Sequence, residues 1–490
     1  MKLIELLNKI NIVQVAGEAE NKEIKSLTIN SKEIKKGSMF IAVKGFKTDG
    51  HLYVSDAVAN GAAAVVIEEN SNLPDELFVK NDVVKIVVKN SRKSIAEISK
   101  VFYNNPSAKL KLIGITGTKG KTTTSYYLHN ILKTAGVKSG LLGTNKYIIG
   151  NREIKSSLTT PEAYVINKLM NEMVEEKCTH CVMEVSSHSL KLNRVDYLDF
   201  DYAIFTNITS DHMDYHGTFE NYLDAKKILF DNLKPQATAI LNSDDKNWKN
   251  LIVDTKAEIK TYGTSSGADF SISDLEYDFN GTRFNINYLD SKYSLNTKLI
   301  GKFNAYNATA AFATLFLNGI DINLIINGIN TTPQVPGRFE VLGNETKKVI
   351  IDYSHTAGSL KEALEAIHHI NKEKLPVITV FGCGGNRDKF KRPEMGKIAE
   401  QLSDEVIVTS DNPRDEDPLQ IINDILTGMS SSKINVKENR EEAIKDAIKN
   451  SPANSIILIA GKGHEDYQEI KGERKHFSDK ETALKYLYEN

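Results

Sequence analysis

A loop able to hold phosphate is indicated by the run Gly117-Thr118-Lys119-Gly120-Lys121-Thr122-Thr123. It follows the apolar run KLIGIT and precedes a helical pattern, the context in which glycines turn successive backbone N–H groups toward phosphate oxygens. Lys121 can reach the terminal phosphates of a nucleotide, and the hydroxyl of Thr122 can bind Mg²⁺. The first glycine of a standard Walker A loop would fall at Ile115, so the motif is a variant. A simple glycine turn is the alternative, but the residues GKTT favour a nucleoside-triphosphate site.

Carboxylate and imidazole side chains follow two further apolar runs. Glu184 follows the run HCVM, and a carboxylate at the carboxyl end of a strand that faces a phosphate loop is a natural Mg²⁺ ligand. Residues 211–216 hold two Asp and two His, among them His212. Alone, this cluster could be a polar loop, but beside a phosphate loop a second cation site is the better interpretation. Two cations indicate phosphoryl transfer to a negatively charged acceptor, because their charge offsets the repulsion between acceptor and phosphate.

Length and composition restrict the class of protein. The 490 residues exceed what one hydrophobic core supports and predict about three domains. A formal net charge of -2 argues against a dedicated nucleic-acid binder. The sequence has no signal peptide and no apolar run of about 18 residues, which predicts a protein without a membrane span.

The cysteines indicate core packing in a reducing compartment. Three cysteines in a chain of 490 residues cannot form a disulfide framework. Cys178 and Cys181 form a CxxC pair without a second pair, and Cys383 stands alone, so a zinc or redox site is the weaker interpretation. A cytoplasmic location fits this pattern.

The order of apolar runs predicts an α/β protein of three domains, residues 1–105, 106–332 and 333–490. The first contains strand-like runs such as SMFIAV, and the sequence NNPS at 104–107 disfavours a continuing helix. In the second, apolar runs alternate with helical patterns, which predicts a central parallel sheet of the P-loop ATPase type. In the third, the runs KVIIDY, LPVITVFG, DEVIVTS and SIILIAGKG predict a doubly wound sheet. Ligands of such sheets collect at the carboxyl ends of the strands.

Ten motifs resemble the Mur ligase family, and they occur in the order expected there across essentially the whole chain. They are GTKGKTT, TTPEA, MEVSSHSL, TNITSDHMDYHGT, YLDAKKILF, GKFNAYNATAA, VPGRFE, FGCGGNRDKFKRPEM, SDNPRDEDP and AGKGHEDYQ. The similarity is greatest to the branch of the family that forms a UDP-N-acetylmuramoyl tripeptide. The resemblance implies that the first domain holds a UDP-sugar, the second binds ATP, and the third closes over both and binds an amino acid.

The resemblance also implies roles around ATP and Mg²⁺. The loop from Gly117 to Thr123 looks like the ATP loop of the family, and Glu184 and His212 resemble its Mg²⁺ ligands. Lys226 occupies the position of a lysine that is carbamylated in the family and whose new carboxylate helps hold the second Mg²⁺. Without the motif, Lys226 would be interpreted as a solvated helix lysine. The predicted catalytic residues are Lys121, Glu184, His212 and Lys226, and the predicted metal ligands are Thr122, Glu184, His212 and Lys226.

Further nucleotide and substrate contacts follow from the resemblance alone. Asn304 resembles the adenine-side contact, with Asn307 nearby, while Arg338 resembles the arginine at the phosphates and Asp352 the contact to the ribose. The residues expected at the UDP-sugar and its muramoyl peptide are Ser31, Lys44 and Gly45 in the first domain and Thr159, Thr160, Ser187 and Arg194 in the second.

The third domain is expected to select the amino acid. The family's motif for meso-diaminopimelate is present as Asp411-Asn412-Pro413-Arg414, and the arginine offers a two-pronged donor to a distal carboxylate that lysine lacks. The alternative is that Arg414 braces its loop through Asp415 or Asp417. The other expected contacts to the amino acid are Arg387, Gly463 and Glu465. The chain departs from the family at Asn386, usually Asp, and at Ser354 and 356–358, none of which is a predicted catalytic residue.

The resemblance implies an ATP-dependent ligase of peptidoglycan precursor synthesis. We expect a cytoplasmic monomer that adds meso-diaminopimelate to UDP-N-acetylmuramoyl-L-alanyl-D-glutamate through an acyl phosphate, with no nucleic-acid or membrane partner. The same ligation with L-lysine is one alternative. Folylpolyglutamate synthase is another, which the full first domain and the residues DNPR oppose. A nucleotide-dependent switch or an inactive relative is opposed by the amino-acid motifs and by the retention of Lys121, Glu184, His212 and Lys226.

Overall fold

The amino-terminal sheet is the first of three large sheets in the computed structural model, which describes residues 1–45, 48–69, 71, 73–343, 346–430 and 434–489. Its strands are β1 (Gln14–Ala16), β2 (Ser26–Thr28), β3 (Ser38–Ile41), β4 (Ala64–Glu68) and β5 (Val84–Val88), in the spatial order β1-β5-β4-β3-β2. Its helices are α1 (Leu3–Leu7), α2 (Val54–Ala59), α3 (Asp75–Val79) and α4 (Ser91–Phe102). Strands β2 to β5 are parallel and β1 is antiparallel. The runs SMFIAV and AAAVVIE form β3 and β4, whose residues are buried in the cores on both faces of the sheet.

The chain leaves this sheet through the NNPS sequence. Helix α4 ends at Phe102, and Asn104 and Asn105 adopt left-handed backbone angles (φ +57° and +48°) that asparagine tolerates. Pro106 then begins a short 3₁₀ turn. The predicted break in the helix is confirmed.

The middle sheet has a parallel centre and antiparallel margins. Its strands are β6 (Lys111–Thr116), β7 (Ser139–Leu142), β8 (Lys146–Ile149), β9 (Arg152–Lys155), β10 (His180–Glu184), β11 (Tyr202–Phe205), β12 (Thr238–Asn242), β13 (Glu258–Gly263), β14 (Phe270–Asp278), β15 (Gly281–Tyr288) and β16 (Ser291–Thr297). Their order is β16-β15-β14-β13-β12-β11-β6-β10-β7-β8-β9. In this spatial order, the six neighbouring pairs between β14 and β7 are all parallel, as predicted. The antiparallel pairs at the two margins were not predicted; they are β7–β8, β8–β9, β14–β15 and β15–β16.

Helices cover both faces of the middle sheet. They are α5 (Lys121–Thr134), α6 (Ala163–Glu175), α7 (Ser187–Lys191), α8 (Met213–His216), α9 (Phe219–Asp231), α10 (Lys302–Leu317) and α11 (Ile322–Asn330). Helices α5, α10 and α11 pack on one face, and α6 and α9 on the other. Strands β7 and β10, which follow β6 in the chain, lie on one edge of β6, and the next strand, β11, pairs with its other edge. The resulting crevice, where such sheets bind ligands, lies at the carboxyl end of β6, where the predicted loop begins.

The carboxy-terminal sheet is doubly wound, as predicted. Its strands are β17 (Glu340–Gly343), β18 (Lys347–Asp352), β19 (Val377–Phe381), β20 (Glu405–Val408), β21 (Ile434–Val436) and β22 (Ser455–Ala460), in the order β17-β18-β22-β19-β20-β21, with a separate hairpin of β23 (Tyr467–Ile470) and β24 (Glu473–His476). Its helices are α12 (Ala357–Ile370), α13 (Lys391–Leu402), α14 (Pro418–Leu426), α15 (Arg440–Asn450) and α16 (Asp479–Tyr488). Ile350 packs under α12 to α14, while Val349 and Ile351 pack under α15 and α16, so both faces are covered.

The three cysteines lie where the composition indicated. Cys178, Cys181 and Cys383 are buried and unpaired, which confirms core packing, and burial raises the pKa of the Cys383 thiol to about 12.

No helix in the described part of the chain is long and apolar enough to cross a membrane. Each large sheet lies inside one predicted segment, and the limits at 105 and 332 stay predictions.

Candidate active site

The phosphate-binding loop joins β6 to α5, and two glycines allow its close approach to neighbouring elements. Gly117 (φ +151°) and Gly120 (φ +87°) adopt backbone angles that side chains disfavour. A Cβ atom at Gly117 would lie 1.9 Å from Thr206 Oγ1, and one at Gly120 would lie 2.5 Å from Asn307 Oδ1. The loop is therefore packed tightly between the end of β11 and the side of α10, with its backbone at the start of α5.

The two ends of α5 offer a matched test of this packing. Gly136 follows α5 with φ +71°, and a Cβ atom there would meet nothing within 4 Å. We expect Gly136→Ala to cost about 1 kcal/mol of stability because it places a side chain at positive φ, and Gly120→Ala to cost more because its side chain also meets Asn307. Only Gly120→Ala should raise KM for ATP, by roughly 10-fold, since only it displaces the loop. Steady-state kinetics and thermal unfolding measure both effects, and equal KM values would contradict the assignment.

Lys121 and Thr122 begin α5 and face the end of β10. Lys121 Nζ donates hydrogen bonds to the carbonyl oxygens of Gly117 (2.8 Å) and Thr118 (3.0 Å), so the ammonium lies over the loop. Burial lowers the pKa of Lys121, while the charge of Glu184 acts in the opposite direction. Thr122 Oγ1 donates to Glu184 Oε2 at 3.0 Å.

Glu184 is a fully buried carboxylate whose hydrogen-bond donors are neutral. Thr144 donates its N–H to Oε1 and its hydroxyl to Oε2, each at 2.9 Å. No cation forms an ion pair with Glu184 within the described residues, which leaves its charge available to a divalent ion. Thr122 and Glu184 fit Mg²⁺, which commonly takes few protein ligands and completes its shell with phosphate oxygens and water. Such a site does not need a cluster of three or more His, Cys, Asp or Glu side chains, and the described residues contain none suited to a metal.

Lys226 is buried on α9 and, among the described residues, has no hydrogen-bond or ion-pair partner. Its Nζ lies 4.4 Å from the centre of the Tyr222 ring. Burial lowers the pKa of Lys226 well below its usual value, and the charge of Lys121 lowers it further. This environment excludes the solvated helix lysine. It favours the neutral amine, the form that can react with CO₂ to give a carbamate.

His212 lies immediately before α8 with a left-handed backbone (φ +57°). Its side chain is 44% exposed, yet desolvation by the surrounding residues lowers its pKa to about 4, with the charge of Lys226 acting in the same direction and that of Asp211 in the opposite one. The imidazole is therefore neutral at neutral pH, as a metal ligand must be. His212 and Lys226 thus lie in one neighbourhood, consistent with their predicted common role.

A cavity of about 660 Å³ opens beside the loop. Of the predicted nucleotide and catalytic residues, those in its wall are Thr118, Lys119, Gly120, Lys121, Thr122, Thr123, Glu184, His212, Arg338 and Asp352. The far end is aromatic, since Tyr277 on β14 and His369 on α12 stack with ring centres 4.0 Å apart, beside Phe303 and Tyr306. Flat apolar surfaces of this kind suit a nucleobase. None of these four residues was predicted: Phe303 and Tyr306 lie in the GKFNAYNATAA motif without an assigned role, and no motif contains Tyr277 or His369.

Asn304 lies behind the cavity wall. Its side chain is 3% exposed, donates to Ile300 O at 2.9 Å and accepts a bond from Asn307 Nδ2 at 3.2 Å. Asn307 lies in the wall itself and contacts the phosphate loop. The geometry therefore favours Asn307 for direct contact with a nucleotide and Asn304 for holding Asn307 in place.

Arg338 and Asp352 reach the same cavity from the beginning of the third sheet. Arg338 Nη2 lies 3.5 Å from Thr122 Oγ1, and its guanidinium lies 4.5 Å from the centre of the Tyr353 ring. Asp352 Oδ2 accepts a hydrogen bond from Phe339 N at 2.7 Å. The positive charge of Arg338 is thus directed at the start of α5, where phosphates are predicted.

A second cavity, of about 1900 Å³, lies at the carboxyl ends of the strands of the third sheet. The predicted amino-acid contacts in its wall are Arg387, Asp411, Asn412, Arg414 and Glu465. The residues that line both cavities are Thr144, Thr159, Thr209, Asp211, His212, Tyr353, His355 and Thr356. Pro413 and Gly463 lie outside this wall. The phosphate loop and the predicted amino-acid pocket therefore open onto each other.

Arg414 presents an unpaired charge to the second cavity. Its Nη1 donates to Gly385 O at 2.7 Å, and it forms no ion pair within the described residues, so neither neighbouring aspartate braces it. Its backbone is left-handed (φ +53°) and is held by bonds to Glu469 O (3.0 Å) and from Lys471 N (2.7 Å). A non-glycine residue in this conformation costs about 1 kcal/mol or more, which is typical of functional loops.

Opposite charges are held together deeper in the same cavity. Lys462 Nζ donates to Asn412 Oδ1 at 3.0 Å and lies 3.3 Å from Glu465 Oε2, while Asn412 Nδ2 donates to the same Glu465 oxygen at 2.8 Å. Burial raises the pKa of Glu465, and the charge of Asp411 raises it further. The pocket thus carries both an acidic pair and a free guanidinium, as a zwitterionic ligand requires.

One candidate for the muramoyl peptide, Thr160, contacts Glu184 directly. Thr160 Oγ1 donates to the carbonyl oxygen of Glu184 at 2.8 Å, and Arg194 Nη1 donates to Thr160 O at 3.1 Å. Ser187 Oγ lies 3.0 Å from His216 Nε2. Thr160 thus links Glu184 to Arg194, which also forms an ion pair with Glu162, while Ser187 contacts the histidine that ends α8.

The candidates in the first domain, Ser31, Lys44 and Gly45, lie outside both cavities. Arg92, which the sequence analysis missed, links them to the site because its Nη2 donates to Lys44 O at 2.6 Å. Burial lowers the pKa of Arg92, and Arg194 is among the charges that affect it. Glu162 is the opposing charge with the largest effect, and it forms an ion pair with Arg194 at 2.6 Å, so Arg92 lies in the same charged neighbourhood as a muramoyl-peptide candidate.

Comparisons with known proteins agree with this arrangement. The family models "Mur ligase family, catalytic domain", "Mur ligase middle domain" and "Mur ligase, glutamate ligase domain" match residues 23–103, 115–315 and 337–463. The chain belongs to the Mur ligase family. This Mur ligase is 41% identical over 493 residues to UDP-N-acetylmuramoyl-L-alanyl-D-glutamate--2,6-diaminopimelate ligase 1 of Clostridium acetobutylicum, with 100% of each chain covered. Its identity to the corresponding ligase of Phocaeicola vulgatus is 42% over 494 residues, again with 100% of each covered.

Solved structures share the fold of this Mur ligase. A structure of UDP-N-acetylmuramoyl-L-alanyl-D-glutamate--2,6-diaminopimelate ligase is 29% identical with a TM-score of 0.69, and 99% of this chain and 98% of that chain are covered. Mycobacterium tuberculosis folylpolyglutamate synthase, complexed with ADP and AMPPCP, has a TM-score of 0.64 at 17% identity, with 75% of this chain and 92% of that chain covered. The second likeness concerns the fold alone.

Two departures of this Mur ligase from the family motifs have a structural explanation. Asn386 adopts a left-handed backbone (φ +51°) that asparagine tolerates, and its Oδ1 accepts a bond from Asp415 N at 3.0 Å. Ser354 donates a hydrogen bond to Asp352, which is a predicted nucleotide contact. Ser354 contacts none of the predicted catalytic residues through this bond. Neither change disrupts the cavity walls.

Proposed function

We propose that this Mur ligase joins meso-diaminopimelate to UDP-N-acetylmuramoyl-L-alanyl-D-glutamate at the expense of ATP. The observation that carries the proposal is the wall shared by the two cavities, with a phosphate loop on one side and Arg414 on the other. A reaction that activates a carboxylate with phosphate and then joins it to an amine needs these two sites to meet. The relatives named for diaminopimelate support the choice of substrates.

The chemistry proceeds in two balanced steps. A carboxylate oxygen of the dipeptide attacks the γ-phosphorus of ATP, the bond from that phosphorus to the β,γ-bridging oxygen breaks, and ADP and an acyl phosphate form. The amine of diaminopimelate then attacks the acyl carbon, loses a proton, and expels inorganic phosphate. Lys121 offsets charge on the transferring phosphoryl group, and Arg338 reaches the same phosphates.

The residues of the chain fit the cation requirement of the first step. Thr122 and Glu184 would hold one Mg²⁺, while His212 and the carbamate of Lys226 would hold the second. When bound, Mg²⁺ supplies the positive charge that lets a carboxylate approach a phosphate. Closure of the domains over the site would exclude water, which protects an acyl phosphate from hydrolysis.

The free guanidinium of Arg414 supports diaminopimelate over L-lysine, the remaining alternative within the family. A second carboxylate would neutralise that charge, whereas lysine would leave it unpaired. Folylpolyglutamate synthase shares the fold but is less well supported, because the first domain and the residues DNPR match the muramoyl-peptide ligases. The same reasoning places the enzyme in peptidoglycan precursor synthesis, and so in cell-wall biogenesis, cell shape and division, as a cytoplasmic monomer.

One experiment tests the proposal directly. The enzyme is incubated with ATP, Mg²⁺ and UDP-N-acetylmuramoyl-L-alanyl-D-glutamate, a panel of amino acids is offered, and products are identified by mass. We expect a tripeptide product with meso-diaminopimelate and stoichiometric release of phosphate. Preference for lysine would select the alternative substrate, and ATP hydrolysis without any ligated product would contradict a ligase.

Lys226 provides a test of the carbamate. Lys226→Ala should lose about 100-fold or more in kcat, because a ligand of the second Mg²⁺ is removed. Short carboxylic acids added to this variant should restore part of the activity, since a carboxylate can replace the carbamate in the space vacated.

The neighbouring lysine is the matched control. Lys227 pairs with Asp231 and Asp254 at the surface, so Lys227→Ala should keep near-normal activity and show no response to added acids. A fully active enzyme whose intact mass or density shows unmodified Lys226 would refute the carbamate.

A further inference from the structure

Arg440 and Asp479 form a buried ion pair outside both cavity walls. Arg440 Nε donates to Asp479 Oδ1 at 2.7 Å, Nη2 donates to Oδ2 at 2.8 Å, and both side chains are 0% exposed. The two residues begin α15 and α16 respectively. The sequence analysis gave neither of them a role.

The guanidinium also binds backbone at the ends of two strands. Nη2 donates to the carbonyl oxygen of Ala460, the last residue of β22, at 2.9 Å. Nη1 lies 3.4 Å from the carbonyl oxygen of Ser410, just beyond β20. Strand β19 lies between β20 and β22 in the sheet. One side chain therefore fixes the separation of two backbone points across three strands.

The two loops of the amino-acid cavity begin at these points. One loop carries Asp411 and Asn412, and the other carries Gly461, Lys462 and Glu465. They touch through the bonds from Asn412 Nδ2 to Glu465 Oε2 and from Lys462 Nζ to Asn412 Oδ1. A Cβ atom at Gly461 would lie only 2.6 Å from Asp411 Oδ2. A change in loop separation would therefore disturb every one of these contacts.

Fold stability alone does not account for the pair. Apolar side chains of similar volume often stabilise a core as well as a buried ion pair does. Arg440 also begins a helix, the end at which a cation is disfavoured. Burial by itself would lower the pKa of Arg440, but the charges of Asp479, Asp411 and Glu465 raise it. The cation is thus retained at a costly position beneath the acidic side of the cavity.

We propose that Arg440 and Asp479 are positioning residues for the amino-acid substrate. By holding the carbonyl oxygens of Ser410 and Ala460, the pair sets the spacing at which the two loops bind the incoming amino acid. The inference rests on one part of the proposed function, that the second cavity binds an amino-acid substrate. It does not depend on which amino acid is bound.

The test compares full-length wild type with Arg440→Lys and with the double variant Arg440→Met, Asp479→Leu. Lysine keeps the charge but cannot reach both the carboxylate and two carbonyls, while the double variant removes both charges and keeps the core apolar. We expect KM for the amino acid to rise about 10- to 100-fold in both variants, with KM for ATP changed by less than roughly twofold. Asp479→Asn replaces the double variant if the latter does not fold.

The control for general destabilisation is Ile448→Ala, because Ile448 is buried in the core at the other end of α15. It should lower the thermal midpoint and leave all KM values unchanged. The inference is overturned if folded Arg440 variants show an unchanged amino-acid KM, whatever their thermal midpoint, or if Ile448→Ala raises that KM equally. Failure of wild type to ligate any amino acid would instead overturn the proposed function, and this inference with it.

Discussion

Lys121→Ala should reduce ligation by about 10³-fold or more while leaving the fold intact. The ammonium lies over the loop, bonded to the carbonyl oxygens of Gly117 and Thr118, and no other lysine of the loop is placed in this way. Phosphates bound at the start of α5 would take over these bonds, so the charge acts where negative charge moves during phosphoryl transfer. The lost activity should persist at saturating ATP, because the contact is strongest in the transition state.

The same helix provides the control for this prediction. Lys133 lies exposed in the last turn of α5, so Lys133→Ala should retain wild-type kcat and KM. Circular dichroism and thermal unfolding establish that both variants are folded. Near-normal turnover by folded Lys121→Ala at saturating ATP would show that the phosphate-loop assignment is wrong.

Arg414→Ala should remove most of the preference for meso-diaminopimelate over L-lysine. The two amino acids differ chiefly by one distal carboxylate, and Arg414 is a partly buried guanidinium without an ion-pair partner among the described residues. Binding lysine would leave it unpaired, and selection by such a polar group can reach roughly 10⁴-fold, against about 10- to 200-fold for steric fit. We expect KM for diaminopimelate to rise strongly and KM for ATP to change little.

Arg474 is a suitable comparison because it lines the same cavity but is already paired, with Nε 3.1 Å from Glu469 Oε2. Arg474→Ala should leave the selectivity largely intact. The measurement is the ratio of kcat/KM for the two amino acids in wild type and both variants. A wild type that prefers lysine, or a ratio that Arg414→Ala does not change, would overturn this interpretation of DNPR.

Sequence patterns located the parts of the site that belong to contiguous motifs. The loop before α5 and the carboxylate of Glu184 could be predicted because a parallel strand ends at a known edge of its sheet. Helical spacing places Lys226 on the buried face of α9 with Tyr222 and Phe230, but spacing alone does not distinguish a functional buried lysine from one whose ammonium reaches solvent. The motif resemblance supplied that distinction, and the structure agrees with it.

Contacts between distant segments were beyond the sequence analysis. Tyr277 and His369 are far apart in the chain and meet only because α12 packs beside β14. Asn304 and Asn307 lie on one helix, and only the packing of α10 decides which of them reaches the cavity. Arg440 has no local signature, because its partners come from three other parts of the third domain. Such residues are specified by tertiary packing rather than by local pattern.

The stack of Tyr277 on His369 has a kinetic consequence. One ring belongs to the middle sheet and the other to the carboxy-terminal domain, so the nucleotide cavity is complete only while these two parts are together. We expect exchange of ADP for ATP to be coupled to a movement of these two parts away from each other. Each turnover then includes one opening and one closing, motions that take microseconds to milliseconds in proteins of this kind.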